Sequence, residues 1–135
     1  MRKKILFAVI ILAVLGGAYG YYEYNRPVAS IEKKKADVAL TASELLAAFE
    51  ADEAAANSQY TEKIIQVTGV ISELVSKESG NKIFMETNNP MSGVICEMED
   101  GQEISSLKTG EKITIKGKCT GFLSDVVLVQ SSLVQ

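Results

Sequence analysis

The sequence predicts a mainly β fold, a small closed barrel that follows an N-terminal apolar segment. Five short apolar runs separated by turn signals lie between residue 60 and the C-terminus. One stretch between the third and fourth runs does not alternate between apolar and polar residues. Without the apolar segment and a polar linker, the 135 residues leave room for one small domain.

The apolar segment has the features of a single transmembrane helix. Residues 5–20 carry no charge, and Tyr21 and Tyr22 extend the segment to the length that a bilayer core requires. Four of the five tyrosines lie at its downstream end, where aromatic rings meet lipid headgroups: Tyr19, Tyr21, Tyr22 and Tyr24. Residues 1–24 are therefore expected to form an anchor. A cleaved signal peptide is the alternative, because Ala18-Tyr19-Gly20 supplies small residues for a cleavage site.

The charges beside the anchor predict its orientation. Arg2, Lys3 and Lys4 precede the apolar residues, so the positive-inside rule places the N-terminus in the cytoplasm and the following domain outside it. Residues 25–39, with Pro27 and the run Lys33-Lys34-Lys35, lack periodicity and are expected to be a linker. These lysines either attract anionic lipid headgroups or are simply solvated. The sequence thus predicts a membrane-anchored, extracytoplasmic domain over residues 40–135.

A helix is expected to open this domain. Thr41 and Glu44 have the spacing of a capping box, and Leu45, Leu46 and Phe49 form an apolar stripe behind it. The helix is expected to end at Asn57-Ser58. Its stripe should pack on the barrel.

Five strands are expected to follow the helix, at residues 63–75, 82–87, 93–98, 111–120 and 126–133. Gly69 lies inside the first and longest strand, where it allows the strand to bend and pair with both halves of a barrel. Residues 103–108 are expected to form one or two helical turns. Three strands, a helical turn and two strands are the order of the OB-fold, a five-stranded Greek-key barrel.

Several short motifs in this order resemble one family. They are Tyr60 after the lead-in helix, Gly-Val-Ile at 69–71, Gly-Val-Ile-Cys at 93–96, Leu-Lys-Thr-Gly at 107–110 and Gly-Lys-Cys-Thr-Gly at 117–121. Over roughly residues 39–134 the chain resembles the tRNA-anticodon-like OB-fold family. Members of that family are small, often exported or membrane-anchored bacterial proteins, mostly without an established biochemical role. The resemblance therefore implies the fold more strongly than a function.

The inventory of reactive side chains argues against an enzyme. The chain has no histidine, the commonest general base, and no glycine-rich phosphate loop follows a strand. The acidic residues around Gly101 do not have the spacing of a calcium loop. We therefore expect no catalytic residue, no cofactor and no metal site. Cys96 and Cys119 both face inward, so they are either a structural disulfide or two buried free thiols.

The fold predicts a ligand site on its second and third strands and the flanking loops. The candidate side chains there are Lys77, Lys82, Phe84, Ile95 and Phe122. The phenylalanines could stack on bases or sugars, and the lysines could meet phosphates. From Tyr60 onward, however, seven lysines oppose ten acidic residues, 7 − 10 = −3, which disfavours nucleic acid.

Binding is thus the expected function. The first hypothesis is a membrane-anchored extracytoplasmic binding or adaptor module for an envelope component, protein or glycan. The alternative is a protein that binds single-stranded nucleic acid or an oligosaccharide. Steep loss of oligonucleotide binding with added salt would favour nucleic acid, whereas salt-insensitive binding that depends on Phe84 would favour the first hypothesis.

Overall fold

The computed structural model describes residues 1–26 and 30–135. Helix α1, Arg2–Tyr24, is about 34 Å long and therefore long and apolar enough to cross a membrane, although a signal sequence would have the same properties. None of its residues is buried. Residues 27–29 of the predicted linker, including Pro27, lie outside the described residues.

The remaining elements are one short strand, two helices and five barrel strands. In chain order they are β1 Val38–Thr41, α2 Ala42–Ala51, α3 Glu53–Tyr60, β2 Ile64–Lys77, β3 Gly80–Glu86, β4 Val94–Met98, β5 Lys112–Phe122 and β6 Val126–Leu133. The sheet order is β1-β2-β3-β4-β6-β5, and a second pairing between β2 and β5 closes strands β2 to β6 into a barrel. β4 and β6 are parallel, while the other barrel pairs are antiparallel. This is the predicted five-stranded OB-fold.

β2 pairs with strands in both halves of the barrel, as its length and Gly69 predict. Its first half pairs with β5 and its second half with β3, and Val70 takes part in both ladders. A Cβ atom on Gly69 would lie 3.0 Å from the Ala42 Cβ and from the Met85 Sδ, so the glycine also leaves room for the start of α2. A bulge between Ile71 and Glu73 then bends the strand toward β3.

Two differences from the sequence analysis lie at the start of the domain. β1 was not expected: it pairs parallel to β2 and includes Val38 and Ala39, which the sequence analysis placed in the linker. The single predicted helix is two helices. Their break is Asp52, whose extended backbone ends α2 and whose Oδ1 accepts a hydrogen bond from the Ala55 N–H to start α3. The sequence on both sides of Asp52 is rich in alanine, which favours a continuous helix, so the sequence analysis did not predict this second N-cap.

The predicted capping box and apolar stripe of α2 are confirmed. The Glu44 N–H donates to the Thr41 Oγ1 at 3.2 Å, and the Thr41 N–H donates to the Glu44 Oε2 at 2.8 Å. Leu45, Leu46 and Phe49 are buried in the same core as the inward residues of the strands. The helix therefore covers the barrel instead of offering its apolar face to a partner.

Residues 103–108 do not form the predicted helical turns. One hydrogen bond, from the Leu107 N–H to the Ile104 carbonyl, closes a single turn, and no helix is formed. Gly101 and Gly110, both at positive φ, turn the chain on either side of this connection. Ile104 is buried and attaches this connection to the core.

Residues 30–37, which we name the strap, lie against the outside of the barrel. The Ser30 Oγ donates to the Glu99 Oε2 at 2.9 Å, just beyond β4. The Lys116 Nζ on β5 donates to the Glu32 carbonyl at 2.6 Å. Asp37 accepts from the Ile64 N–H at the start of β2, at 3.0 Å. Ile31, only 2% exposed, lies between the first two contacts, so this part of the predicted linker is packed on the domain.

Candidate ligand-binding cleft

The outer face of β3 and β4 carries three of the five predicted ligand-binding residues. Phe84 lies directly opposite Ile95, and Lys82 lies opposite Glu97. These four side chains are half-buried, whereas the alternating residues, Ile83 among them, point into the core. The sequence pattern alone was sufficient to bring Lys82, Phe84 and Ile95 together.

Lys82 is not a free charge on this face. Its Nζ lies 2.7 Å from the Glu97 Oε1, and the pair forms both a hydrogen bond and a salt bridge. A phosphate at this point would have to displace Glu97 or approach its carboxylate. The pair therefore makes the β3–β4 face nearly neutral.

The structure separates Lys77 and Phe122 from this group. Lys77 is exposed at the end of β2, opposite Gly80, while Phe84 lies near the other end of β3. Phe122 is the last residue of β5 and not part of a loop, and its ring stacks on Phe49 at a centroid distance of 5.9 Å and an interplanar angle of 29°. The structure thus places Phe122 against helix α2 and apart from Phe84, and its stacking on a ligand stays a prediction.

A cleft of about 480 Å³ lies beside Phe84. Ser72, at the bulge of β2, contributes to one side and Asp125, before β6, to another. The connection between β3 and β4, residues 87–93, contributes most of the remaining lining. The sequence analysis pointed to this face through Phe84 but did not expect a cleft, because the cleft depends on how residues 87–93 fold.

Internal hydrogen bonds hold residues 87–93 in place. The Thr87 Oγ1 donates to the Ser92 carbonyl at 2.6 Å, and the Asn89 side chain donates to the Glu50 Oε1 on α2, also at 2.6 Å. The Gly93 N–H donates to the Asp125 Oδ1 at 2.7 Å, which ties this connection to the one before β6. The cleft is therefore preformed.

The cleft is acidic. Glu86 and Asp125 are the charged residues that line it, and Glu73 lies opposite Phe84 on the neighbouring strand. No lysine or arginine is among the described residues that line it. Nor does any group of three or more His, Cys, Asp or Glu side chains in residues 1–26 and 30–135 have the arrangement of a metal site. The lining suits a neutral or positively charged ligand with an apolar part for Phe84.

Two apolar side chains in the turns of the barrel are strongly exposed, and one of them lines the cleft. Met91, which lines it, is 85% exposed, and Leu123, in the turn before Asp125, is 89% exposed. Among the described residues after residue 24, Val134 is the one other large apolar side chain that is exposed. Sequence reasoning missed both residues, although each is an apolar residue within an otherwise polar turn. Of the two, Met91 is the one that lines the cleft, where it offers an exposed apolar contact.

Cys96 and Cys119 are buried free thiols and not a disulfide. Both lie in register with Leu128 of β6, one on each side of that strand. Strands are about 4.8 Å apart, so the two Cα atoms are separated by roughly 10 Å, beyond the reach of a disulfide. Burial raises the pKa of the Cys96 thiol to about 12 and also raises the pKa of the Cys119 thiol. The two cysteines therefore act as small apolar core residues.

The structure is that of an OB-fold protein with a cleft beside the outer face of its second and third barrel strands. The chain belongs to the tRNA_anti-like family, whose model matches residues 1–133. No curated protein matches it.

Two solved structures are similar to this one. The first is named as a putative nucleic acid-binding lipoprotein from Klebsiella pneumoniae; it is 20% identical with a TM-score of 0.57, and the match covers 71% of this chain and 92% of that one. The second is named as a putative aspartyl-tRNA synthetase from Leishmania major; it is 11% identical with a TM-score of 0.49, and the match covers 88% of this chain but 25% of that one. At these identities the first likeness shows the fold alone.

Proposed function

We propose that this protein is a membrane-anchored, extracytoplasmic binding module that holds an envelope component in the cleft beside Phe84, without catalysing a reaction. The preformed cleft is the observation that carries the proposal. α1 supplies the proposed anchor, and Arg2, Lys3 and Lys4, which directly adjoin it, are the charges on which the proposed extracytoplasmic orientation of the barrel rests. The absence of histidine from the sequence supports binding without catalysis.

The ligand that best fits the cleft is a protein segment with a lysine or arginine side chain. A cation over the Phe84 ring gains a cation–π interaction, and Glu86 and Asp125 supply the opposite charge. Met91 offers an exposed apolar contact of the kind enriched at protein interfaces. A neutral glycan would use Phe84 and the asparagine side chains but would gain nothing from the carboxylates.

Single-stranded nucleic acid is the second candidate, because OB-folds bind oligonucleotides on this same face. The name of the Klebsiella pneumoniae protein agrees with it. Against it stand the acidic lining and the Lys82–Glu97 pair, since binding to a phosphate backbone depends on unpaired cations. The charges of the site therefore favour the protein ligand.

Site-specific photo-cross-linking in native membranes tests the proposal. A photoreactive amino acid at Met91 of the full chain should capture a specific protein, while the same group at Gln59, exposed on α3, should not. Phe84→Ala should reduce the Met91 cross-link at least tenfold. Equal capture from both positions, or capture unaffected by Phe84→Ala, would contradict the assignment of the cleft.

Fluorescence anisotropy tests the second candidate. Full-length protein in detergent is titrated into a labelled mixed-sequence single-stranded oligonucleotide at low and at physiological salt. We expect no binding in the micromolar range at either salt concentration. Micromolar binding that weakens steeply with salt would replace the protein ligand by nucleic acid.

A further inference from the structure

The strap brings a run of lysines onto the barrel surface nearest to the anchor in sequence. Glu32 contacts Lys116 of β5, and Asp37 contacts Ile64, which pairs with Lys118 of β5. Lys33, Lys34 and Lys35 lie between these two contacts. They therefore share one side of the barrel with the outward lysines of β5. We name this side the strap face: residues 30–37 with Glu62, Lys63, Lys116 and Lys118.

The domain has a strongly uneven charge distribution. The strap face carries six lysines and three carboxylates, a net charge of +3. The rest of residues 30–135 carries four lysines and thirteen carboxylates, a net charge of −9. Glu99, which accepts the hydrogen bond from Ser30, lies at the border between the two regions. A negatively charged surface would attract the strap face and repel the rest of the domain.

Most lysines of the strap face form no ion pair among the described residues and are accessible to another molecule. Among the described residues Lys118 pairs with Glu62, but Lys33, Lys34 and Lys35 take part in no ion pair, and all three are exposed. The Asp37 Oδ2 accepts a hydrogen bond from the Ile64 N–H and forms no ion pair with these lysines. The run Lys33-Lys34-Lys35 is thus held on a folded surface without being neutralised by it.

The covalent chain holds this face close to the end of α1. Five residues separate Tyr24, the last residue of α1, from Ser30, the first residue of the strap. Six Cα–Cα steps span at most about 22 Å. If α1 crosses a bilayer, Ser30 therefore stays near the headgroups, and the lysines that follow it can come within the Debye length of about 8 to 10 Å over which they are attracted to anionic lipid.

We propose that the strap face docks onto anionic lipid headgroups through its exposed lysines Lys33, Lys34 and Lys35, which take part in no ion pair among the described residues. The barrel then lies against the bilayer, and its acidic surface, which includes Glu73, Glu86 and Asp125, is repelled from the anionic headgroups. This inference goes beyond the ligand of the cleft but depends on the proposed anchoring by α1. It explains why the lysine run is fixed on the barrel at three contacts instead of extending into solvent.

The test uses the full chain in nanodiscs that contain a nitroxide on a fraction of the headgroups. One set of discs holds phosphatidylglycerol with phosphatidylcholine, and the other holds phosphatidylcholine alone. In anionic discs the amide NMR signals of Lys34 and Lys116 should lose at least half of their intensity relative to the reduced nitroxide, whereas those of Phe84 and Asn88 should not. In neutral discs, or at 0.5 M salt, this contrast should disappear.

Two matched variants identify the charges responsible. Lys33→Gln/Lys34→Gln should reduce the contrast by at least half, while Lys108→Gln/Lys112→Gln, which removes the same charge from outside the strap face, should leave it unchanged. Equal broadening on both sides of the barrel, or the same pattern in neutral discs, would overturn the docking. A chain that does not co-elute with the discs would instead contradict the anchor itself, so the two failures are distinguishable.

Discussion

Phe84 and Phe122 are similar side chains whose surroundings give them different roles. Both are half-buried phenylalanines on barrel strands, but Phe84 lies beside the cleft and Phe122 stacks on Phe49 of α2. A side chain with solvent on one side can serve a ligand at little cost to folding. A ring packed between a strand and a helix contributes mainly to stability.

We expect Phe84→Ala and Phe122→Ala to have opposite effects. Phe122→Ala should lower the free energy of unfolding by about 2 to 3 kcal/mol, because it removes the stacking on Phe49 and leaves a cavity. It should leave Met91 cross-linking intact under conditions where the protein is folded. Phe84→Ala should instead leave the free energy of unfolding nearly unchanged and reduce Met91 cross-linking. Denaturant titration together with the cross-linking assay measures both effects, and loss of cross-linking in Phe122→Ala alone would contradict the assignment.

The Cys96 thiol predicts a dependence of stability on alkaline pH. Burial raises its pKa from the ordinary 9.0 to about 12, so the unfolded thiol ionises before the folded one. The contribution to stability is fully present below about pH 9 and is lost as the pH rises toward 12. Denaturant titrations from pH 7 to pH 10.5 should show this decrease. In Cys96→Ala, which is less stable at neutral pH, the decrease should be smaller; an identical decrease would assign it to other groups.

At the level of elements, the cleft depends on a close approach between the β3–β4 connection and β3. A Cβ atom on Gly93 would lie 2.6 Å from the Met85 carbonyl oxygen, which belongs to the backbone and cannot rotate away. The Gly93 N–H is also bound to Asp125. This one residue therefore fixes both connections that line the cleft.

Gly93→Ala should consequently move the β3–β4 connection. We expect a loss of about 1 to 3 kcal/mol in the free energy of unfolding, together with weaker binding in the cleft. Ser92→Ala, one residue earlier, leaves the Ser92 carbonyl available to Thr87 and should cost less than about 0.5 kcal/mol. Thermal denaturation of both variants makes the comparison, and equal stability of the two would contradict the close approach.

At the level of the whole molecule, the domain has two faces with different charge. The cleft lies on the acidic part, and the strap face carries the lysines nearest to the anchor. The proposed membrane-anchored module would benefit from this arrangement, since the surface proposed to face the bilayer is separate from the cleft proposed to hold the ligand.

The strap also predicts where the folded domain begins. A chain that starts at Ser30 keeps Ile31 buried and retains the hydrogen bond between Lys116 and Glu32, whereas a chain that starts at Val38 loses both. The longer form should be more stable by about 2 to 3 kcal/mol. Denaturant titration of the two forms is the measurement. Equal stability would mean that residues 30–37 behave as the linker that the sequence analysis expected.

The amino-acid sequence alone was sufficient for the barrel, the capping box of α2 and the cluster of Lys82, Phe84 and Ile95. These features follow from local patterns: alternation along a strand, the spacing of a cap, and the pairing of neighbouring strands. The same local rules did not reveal the Asp52 break, because alanine on both sides favours one continuous helix.

The tertiary structure decided the features that depend on residues distant in sequence. Phe122 stacks on Phe49 of α2, Cys96 and Cys119 lie on either side of Leu128, and the cleft forms where Asp125 accepts from the Gly93 N–H. The position of the strap also depends on residues distant in sequence, since the Glu32 carbonyl accepts from Lys116, 84 residues later. Sequence patterns report which residues prefer the core or the surface. Which pairs then meet depends on the closure of the barrel, and that closure fixes both faces of the domain.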